Sequence, residues 1–427
     1  MEPLGPEIVD RASGLVLPPV AGFGEPTPID VMPPPPPRDT IAVEAAGSTR
    51  VDLLFVEQEG VLYVVPAADR THWASAALRA GSATVYRRDG SSEVRAAYLV
   101  DRPERVEEIH RKFQEKYGLR IWERYFSRRQ RILALDASRR GAPRSPDELI
   151  REEFDTVAPY YAEKIETDPF EALLRRRSRA QLTRLFVGRD PILELGCGVG
   201  AESVPLLREG HRLVAVDISP AMLRRLEARA RAAGVSDRLT TVEGSLRELG
   251  RLLDRFPDGY FSGGFSTFGA LNLEPDLSRL PTQLARVLAP GSPFLGAVLN
   301  QLSLVPKLYE AGLRGPSGLL VRLRSRVPAE GIRFPLDIHQ LNPYRWAREF
   351  RPFFSVETVA AAASFAPPFE SPRLLRFVSG PSARRLERWD ARVSNTWLGP
   401  WLGEWAIVVL RRTAEPAPPS EPASGSP

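Results

Sequence analysis

The chain has a single cysteine in 427 residues, Cys197, which excludes an internal disulfide and any zinc site built on cysteine pairs. A reducing compartment fits. Lysine is almost as scarce: Lys112, Lys116, Lys164 and Lys307 are the only four among 58 basic residues. The skew towards arginine, alanine and proline points to GC-rich bacterial codon usage rather than to selection for phosphate contacts. The four histidines are scattered, and no His/Asp/Glu group has ligand spacing, so no metal site is expected. No apolar run approaches the ~18–20 residues of a membrane span, and MEPLGPEIVD lacks the charged and apolar regions of a secretory signal. A cytoplasmic protein with no membrane partner is the expectation.

What is present is apolar matter enough for sizeable cores, 43% of residues, and a length that suggests two folded units with tails. The formal charge of +5 is local. Between Arg120 and Arg144 eight arginines face only Glu123 and Asp136, so the rest of the chain is nearly neutral and no long basic groove for nucleic acid is implied. Residues 1–40, with the run Pro33–Pro37, read as a disordered proline-rich arm, and residues 413–427 as a disordered tail.

Residues 41–135 have the texture of a small β domain. Val51–Val56 and Val61–Val65 flank Glu57-Gln58-Glu59-Gly60, while Ala83–Arg87 and Glu93–Val100 flank Asp89-Gly90, which predicts two hairpins. Helices are predicted over Arg70–Ala80 and Pro103–Tyr117. In the arginine-rich segment Ile121, Trp122, Tyr125, Phe126, Ile132 and Leu133 recur at helical spacing and predict a packing stripe. Residues 136–149 read as a linker and 150–412 as a second domain.

Ser145-Pro146-Asp147-Glu148 supplies an N-cap, a proline at the first helical position and a glutamate three residues after the cap, so a helix begins there. A second helix is predicted around Phe170–Phe186. The stretch ILELGCGVGAES, Ile192–Ser203, then runs a short apolar strand into Gly196, Gly198 and Gly200, which turns backbone N–H groups towards a ligand. Asp217 closes the next strand, Arg212–Val216, 21 residues after Gly196, where a carboxylate can accept both ribose hydroxyls. Ser219 and Pro220 start a helix with Met222 on its first turn, and the strand Arg238–Val242 runs into Gly244 and Ser245. Strands at Phe261–Ser266, Pro293–Leu299, Phe353–Val359 and Trp405–Leu410 complete a set of seven. Gly196, Gly198 and Ala201 also fit the looser turn of nicotinamide and flavin enzymes, so the glycines alone leave the cofactor open.

The ordered set FDTVAPYYAEK, ILELGCGVGAES, AVDISPAML, FSGGFSTFGALN, LARVLAPGSPFLGAVLN and EWAIVVLRR resembles the class I S-adenosylmethionine-dependent methyltransferases, across about residues 150–412. The resemblance implies an α/β, Rossmann-like, seven-stranded sheet, S-adenosylmethionine as cofactor, and in-line methyl transfer to an oxygen, nitrogen or carbon nucleophile of a small-molecule acceptor. It implies that Glu194, Gly196 and Gly198 surround the methionine moiety, that Gly200 and Gly244 belong to the same cofactor set, and that Asp217 binds the ribose. Ile218 and Met222 would flank the adenine, and Tyr161, Phe265 and Ser266 would close the methyl-donor pocket. Ser245 and Ser262 stand where many relatives carry acidic residues, the former to accept from the adenine amino group; a serine offers that bond without the charge.

In the first domain, GSTRVDLLFVEQEGVLYVV and THWASAALRAGSATV resemble the split β-barrel of flavin- and deazaflavin-dependent nitroreductases and pyridoxamine-phosphate-oxidase-like proteins. Of the phosphate loop of those families only Gly47, Ser48 and Arg50 remain, so a structural or homodimerising barrel is expected. His339, in DIHQLNPYRWAREF, resembles the loop over the acceptor pocket and is the candidate general base, set against a loop histidine with a backbone partner. Cys197 has no neighbouring histidine and reads as a small buried packer. Two other functions are carried: a flavin- or deazaflavin-binding redox protein acting through the barrel, and a degenerate methyltransferase serving as a non-catalytic interaction scaffold, which Ser245 and Ser262 motivate.

Overall fold

The computed structural model describes residues 40–48, 50–65, 73–100, 102–117, 132–167, 169–304, 326–328, 336–363 and 381–414. The proline-rich arm, residues 118–131 of the arginine-rich segment, His72 and the tail from residue 415 lie outside them. The chain forms two compact units, one centred on Ile29–Glu153 and the other on Phe154–Ser325 with His339–Pro427.

In the first unit, strands β1 (Thr40–Glu44), β2 (Val51–Gln58), β3 (Val61–Val64), β4 (Ser82–Tyr86), β5 (Ser92–Leu99) and β6 (Leu133–Asp136) close a barrel in the order β1-β2-β3-β6-β5-β4. Helix α1 (Trp73–Ala80) lies between the two expected hairpins in sequence, and α2 (Pro103–Tyr117) places Ile109, Phe113 and Tyr117 against Leu54, Val56 and Tyr63. Leu133 belongs to a strand and not to a helical stripe. β6 pairs antiparallel with both β3 and β5, which satisfies its backbone on both edges, and its four residues are all buried. Closure of the barrel is a long-range pairing, invisible to spacing within one segment.

The predicted cap is formed at the end of the first unit: Ser145 Oγ accepts from Glu148 N at 3.2 Å, and Glu148 Oε2 accepts from Ser145 N at 2.6 Å, at the head of α3 (Pro146–Thr167), whose residues from Phe154 on belong to the second unit. Helix α4 (Pro169–Leu185) follows, then β7 (Ile192–Leu195), α5 (Ser203–Arg208), β8 (Leu213–Asp217), α6 (Pro220–Ala232) and β9 (Leu239–Glu243). The rest comprises α7 (Leu249–Leu253), β10 (Gly263–Ser266), α8 (Leu280–Val287), β11 (Pro293–Leu299), α9 (Pro343–Glu349) and β14 (Phe354–Ala363), while the short ribbon β12 (Arg326–Pro328) and β13 (Asp337–His339) falls, as far as Ile338, with the first unit. Helices α10 (Pro381–Ser394) and α11 (Gly399–Leu402) and strand β15 (Trp405–Arg412) end the second unit.

Seven of these strands form one sheet in the order β14-β15-β11-β10-β7-β8-β9, parallel from β11 to β9, with β15 antiparallel to both neighbours. Both faces are covered: Leu193, Leu195, Val214 and Val216 enter one core, and the alternate residues Ile192, Leu213 and Leu295 the other. Strand order reverses between β7 and β10, so the carboxyl ends of these strands are where a ligand finds a crevice. No helix among the described residues is long and apolar enough to cross a membrane.

Candidate cofactor and acceptor site

The site is built on the turn that leaves β7. Gly196, Gly198 and Gly200 have φ of 73°, 52° and 78°, a region that strains any residue with a Cβ. Gly196 has a second reason: a Cβ there would lie 2.1 Å from the Ala270 Cβ, in the loop after β10. A Cβ on Gly198 would meet only the Tyr161 ring, at 3.8 Å, so that glycine leaves bare backbone facing open space beneath an aromatic ring. Gly196 N and Cys197 N both donate to Val216 O, at 2.8 and 3.1 Å, which lays the turn across the end of β8.

Asp217 sits where that crossing ends. Its Oδ2 accepts from Gly198 N at 2.8 Å and its Oδ1 from Ser219 N at 2.9 Å, so the carboxylate ties the glycine turn to the head of α6. Burial pushes its pKa up to about 6, against the pull of those N–H donors. Ser219 caps α6 by accepting from Met222 N at 3.1 Å and donates to Asp155 Oδ1 at 2.6 Å, and Ala221 N donates to the same oxygen at 3.0 Å. Asp155, on α3, therefore docks that helix beside the turn and carries Tyr161 with it. Burial raises the Tyr161 hydroxyl to about 12, with Glu171, Glu202 and Asp217 adding to the shift, so it stays protonated.

Sequence reasoning missed the charged group behind the turn. Arg175, on α4, pairs with Glu202 Oε2 at 2.6 Å and with Glu171 at 3.2 Å, and its guanidinium lies 5.0 Å from the ring centroid of Phe268. Arg175 and Glu202 are both buried. Phe268 itself has φ of 51°, rare for an aromatic residue, and stands edge-on to Trp405 at 5.5 Å. The arginine thus bridges the end of the glycine turn and the loop after β10. The one available signal was Glu202, a charge between glycines and an apolar helix, and its partner lies 27 residues upstream.

Several expected cofactor residues have no surface to give. Met222 is fully buried among Ala158, Ile165, Val199 and Ala201, so it packs beneath the turn, whereas Ile218 is half-buried. Phe265 is fully buried against Phe186, their centroids 5.8 Å apart, in the same core as Ile192 and Leu295. Ser266 is buried and donates to Leu195 O at 2.8 Å, so it joins β10 to β7 and does not close the pocket. Glu194 is buried too: Ser203 Oγ donates to its Oε2 at 2.5 Å, and burial holds its carboxyl well above the ordinary range. Gly244 N donates to Asp217 O at 2.9 Å, and a Cβ there would strike Leu252 at 2.4 Å. Ser245 is buried and accepts from Arg247 N at 3.2 Å. Tyr161, Gly196, Gly198, Asp217 and Ile218 keep partial exposure and stand together around the turn. Burial also raises the Cys197 thiol far above its usual value, which fits a packing residue.

His339 ends β13. Its carbonyl accepts from Asn272 Nδ2 at 2.7 Å, and Asn272 Oδ1 accepts from Leu299 N at 2.8 Å, which ties the histidine backbone to the carboxyl end of β11. The carboxyl ends of the strands are where ligands bind in a doubly wound sheet. Among the described residues no group of three or more His, Cys, Asp or Glu is placed to hold a metal ion.

Residues 192–291 match a family model described as a methyltransferase domain. An uncharacterized protein of Mycobacterium tuberculosis and another of Mycobacterium bovis are each 35% identical over 98 residues, 23% of this chain and 33% of theirs. The chain therefore spans about a third of the length of the curated relatives it matches, at 33%. Among solved structures, the CcbJ methyltransferase of Streptomyces caelestis is 17% identical with a TM-score of 0.37, over 56% of this chain and 90% of that one. An S-adenosylmethionine-dependent methyltransferase of Mesorhizobium loti is 20% identical with a TM-score of 0.34, over 52% and 90%.

Proposed function

We propose that this chain, whose second unit is a class I methyltransferase domain by its strand order and by the match at residues 192–291, binds S-adenosylmethionine and transfers its methyl group in line to an oxygen, nitrogen or carbon nucleophile of a small-molecule acceptor. One observation carries the reading: Asp217 and Gly198 are clasped at 2.8 Å at the crevice, with Tyr161 over the bare glycine. When bound, the cofactor supplies a sulfonium whose methyl is already activated. The protein's part is to bind, orient and exclude water. Asp217 offers its ionised carboxylate to the ribose hydroxyls, Gly196 and Gly198 leave room for the methionine end, and Ile218 lies against the adenine. Tyr161 keeps its proton and shields the donor side. His339 is the candidate to take a proton from the acceptor.

Ser245 gives the scaffold alternative its footing, since its hydroxyl already accepts from Arg247 N and offers no charge. Titration with S-adenosylhomocysteine separates the two. A dissociation constant of about 1–100 µM is expected for a working donor site. No heat at about 1 mM ligand with folded protein overturns the enzyme reading and leaves the scaffold.

A further inference from the structure

Nine large apolar side chains stand well exposed among the described residues, and four of them, Trp389, Trp397, Leu398 and Trp401, fall within one short stretch near the end of the second unit. Trp389 is 64% and Trp397 73% exposed. The backbone beneath them is fixed. Arg177 pairs with the buried Asp390 of α10 and donates to Ser394 Oγ at 2.9 Å and to Ala362 O at 2.8 Å. Asn300 Nδ2 donates to Gly403 O at 2.9 Å and to Pro400 O, which anchors α11, and Tyr344 OH donates to Trp397 O at 3.3 Å. The indoles are thus held outward by a pinned backbone, and a cluster of large exposed apolar groups of this kind marks an interaction surface.

Within Arg388–Leu402 the exposed charges are both positive. Arg388 and Arg392 are exposed beside Trp389, with the Arg392 guanidinium 5.9 Å from that ring centroid. Asp390, the only carboxylate between Arg388 and Leu402, is buried and paired with Arg177. A second copy of the chain is the poorer occupant, because an isologous contact sets Arg388 and Arg392 against their own copies. Indole rings suit the headgroup zone of a bilayer, apolar body inward and N–H towards water, and nearby guanidinium groups meet lipid phosphates.

We infer that the Trp389–Trp401 surface seats the protein on an anionic lipid bilayer, with Trp389, Trp397 and Trp401 entering the headgroup zone and Arg388 and Arg392 facing lipid phosphates. This reverses the sequence expectation of no membrane partner, and peripheral seating needs no spanning helix. It is independent of methyl transfer.

The full chain, mixed with equimolar phosphatidylcholine–phosphatidylglycerol vesicles and with phosphatidylcholine vesicles alone, is tested by cosedimentation. Pelleting with the anionic vesicles is expected, about tenfold weaker on the neutral ones and about tenfold weaker when salt rises from about 50 to about 500 mM. The Trp389→Ala/Trp397→Ala/Trp401→Ala variant should lose at least about tenfold in partitioning while keeping its circular dichroism and thermal midpoint, since the three rings are exposed. The inference is overturned by any of four results: no pelleting with anionic vesicles, equal pelleting on neutral ones, an unchanged triple variant, or a triple variant that has lost a dimer seen without lipid. Lipid binding lost only on Arg388→Gln/Arg392→Gln, with the tryptophans dispensable, also overturns it.

Discussion

Asp217 concentrates the chemistry of the site in one carboxyl. Its two oxygens already accept two backbone N–H groups, so its position is set before any ligand arrives. On the proposed ribose contact the ionised form is the one that binds, and burial lifts the pKa to about 6. S-adenosylhomocysteine affinity should therefore fall about tenfold between pH 8 and pH 5, read by calorimetric titration. Asp217→Asn should weaken binding at least about tenfold at pH 8 and flatten the pH profile, because one of its two N–H acceptors and the charge are lost. The linkage runs the other way for the ligand-free fold. A carboxyl whose pKa is raised by folding contributes its full stability below its ordinary 3.8, and that contribution is lost as pH rises through about 6. Ligand at pH 8 thus binds a carboxylate the fold alone holds at a cost.

At the scale of elements, the buried arginine of α4 decides how α5 and the loop after β10 meet. Arg175 stays charged because Glu202 and Glu171 outweigh the burial that opposes its charge. Removing one partner of a buried pair leaves the other unanswered, so Arg175→Met should destabilise the second unit by about 3–5 kcal/mol in urea unfolding. The double variant Arg175→Met/Glu202→Leu should recover at least about half of that, since both charges then leave together. A double variant as unstable as the single would show that the pair's geometry is not what holds these elements. The helices and strands from Ser145 on are largely readable from local patterns: the cap at Ser145, the strand into Gly196 and the seven strand segments follow from residues near one another in the chain. Arg175 is not, because Glu202 and Phe268 come from two other segments, and its one local pair, with Glu171 four residues earlier, does not single it out among the arginines.

The whole molecule is two compact units on one chain. The six-stranded barrel and the seven-stranded sheet each carry their own core, with Leu54, Phe113 and Ile132 in one and Leu193, Leu195 and Phe294 in the other. Two transitions are expected by scanning calorimetry, and S-adenosylhomocysteine at about 100 times its dissociation constant should raise only the one belonging to the second unit, by about 2.7 kcal/mol of stability. A ligand-induced shift of both transitions together would mean that the barrel takes part in binding.

The sequence by itself determined the glycine turn, the carboxylate at the end of the following strand, the capped helices and the alternation of strands and helices, because each depends on residues near one another in the chain. It also placed Asp217 beside the turn, since the length of one β-α-β unit fixes that distance. Tertiary structure alone decided which side chains keep surface. Met222, Phe265 and Ser266 sit at the expected positions yet point into packing, because which face of a strand or helix is covered depends on elements far away in sequence. The same long-range packing made a barrel-closing strand of Leu133–Asp136, brought Arg175 to Glu202, and left Trp389, Trp397 and Trp401 outside the core.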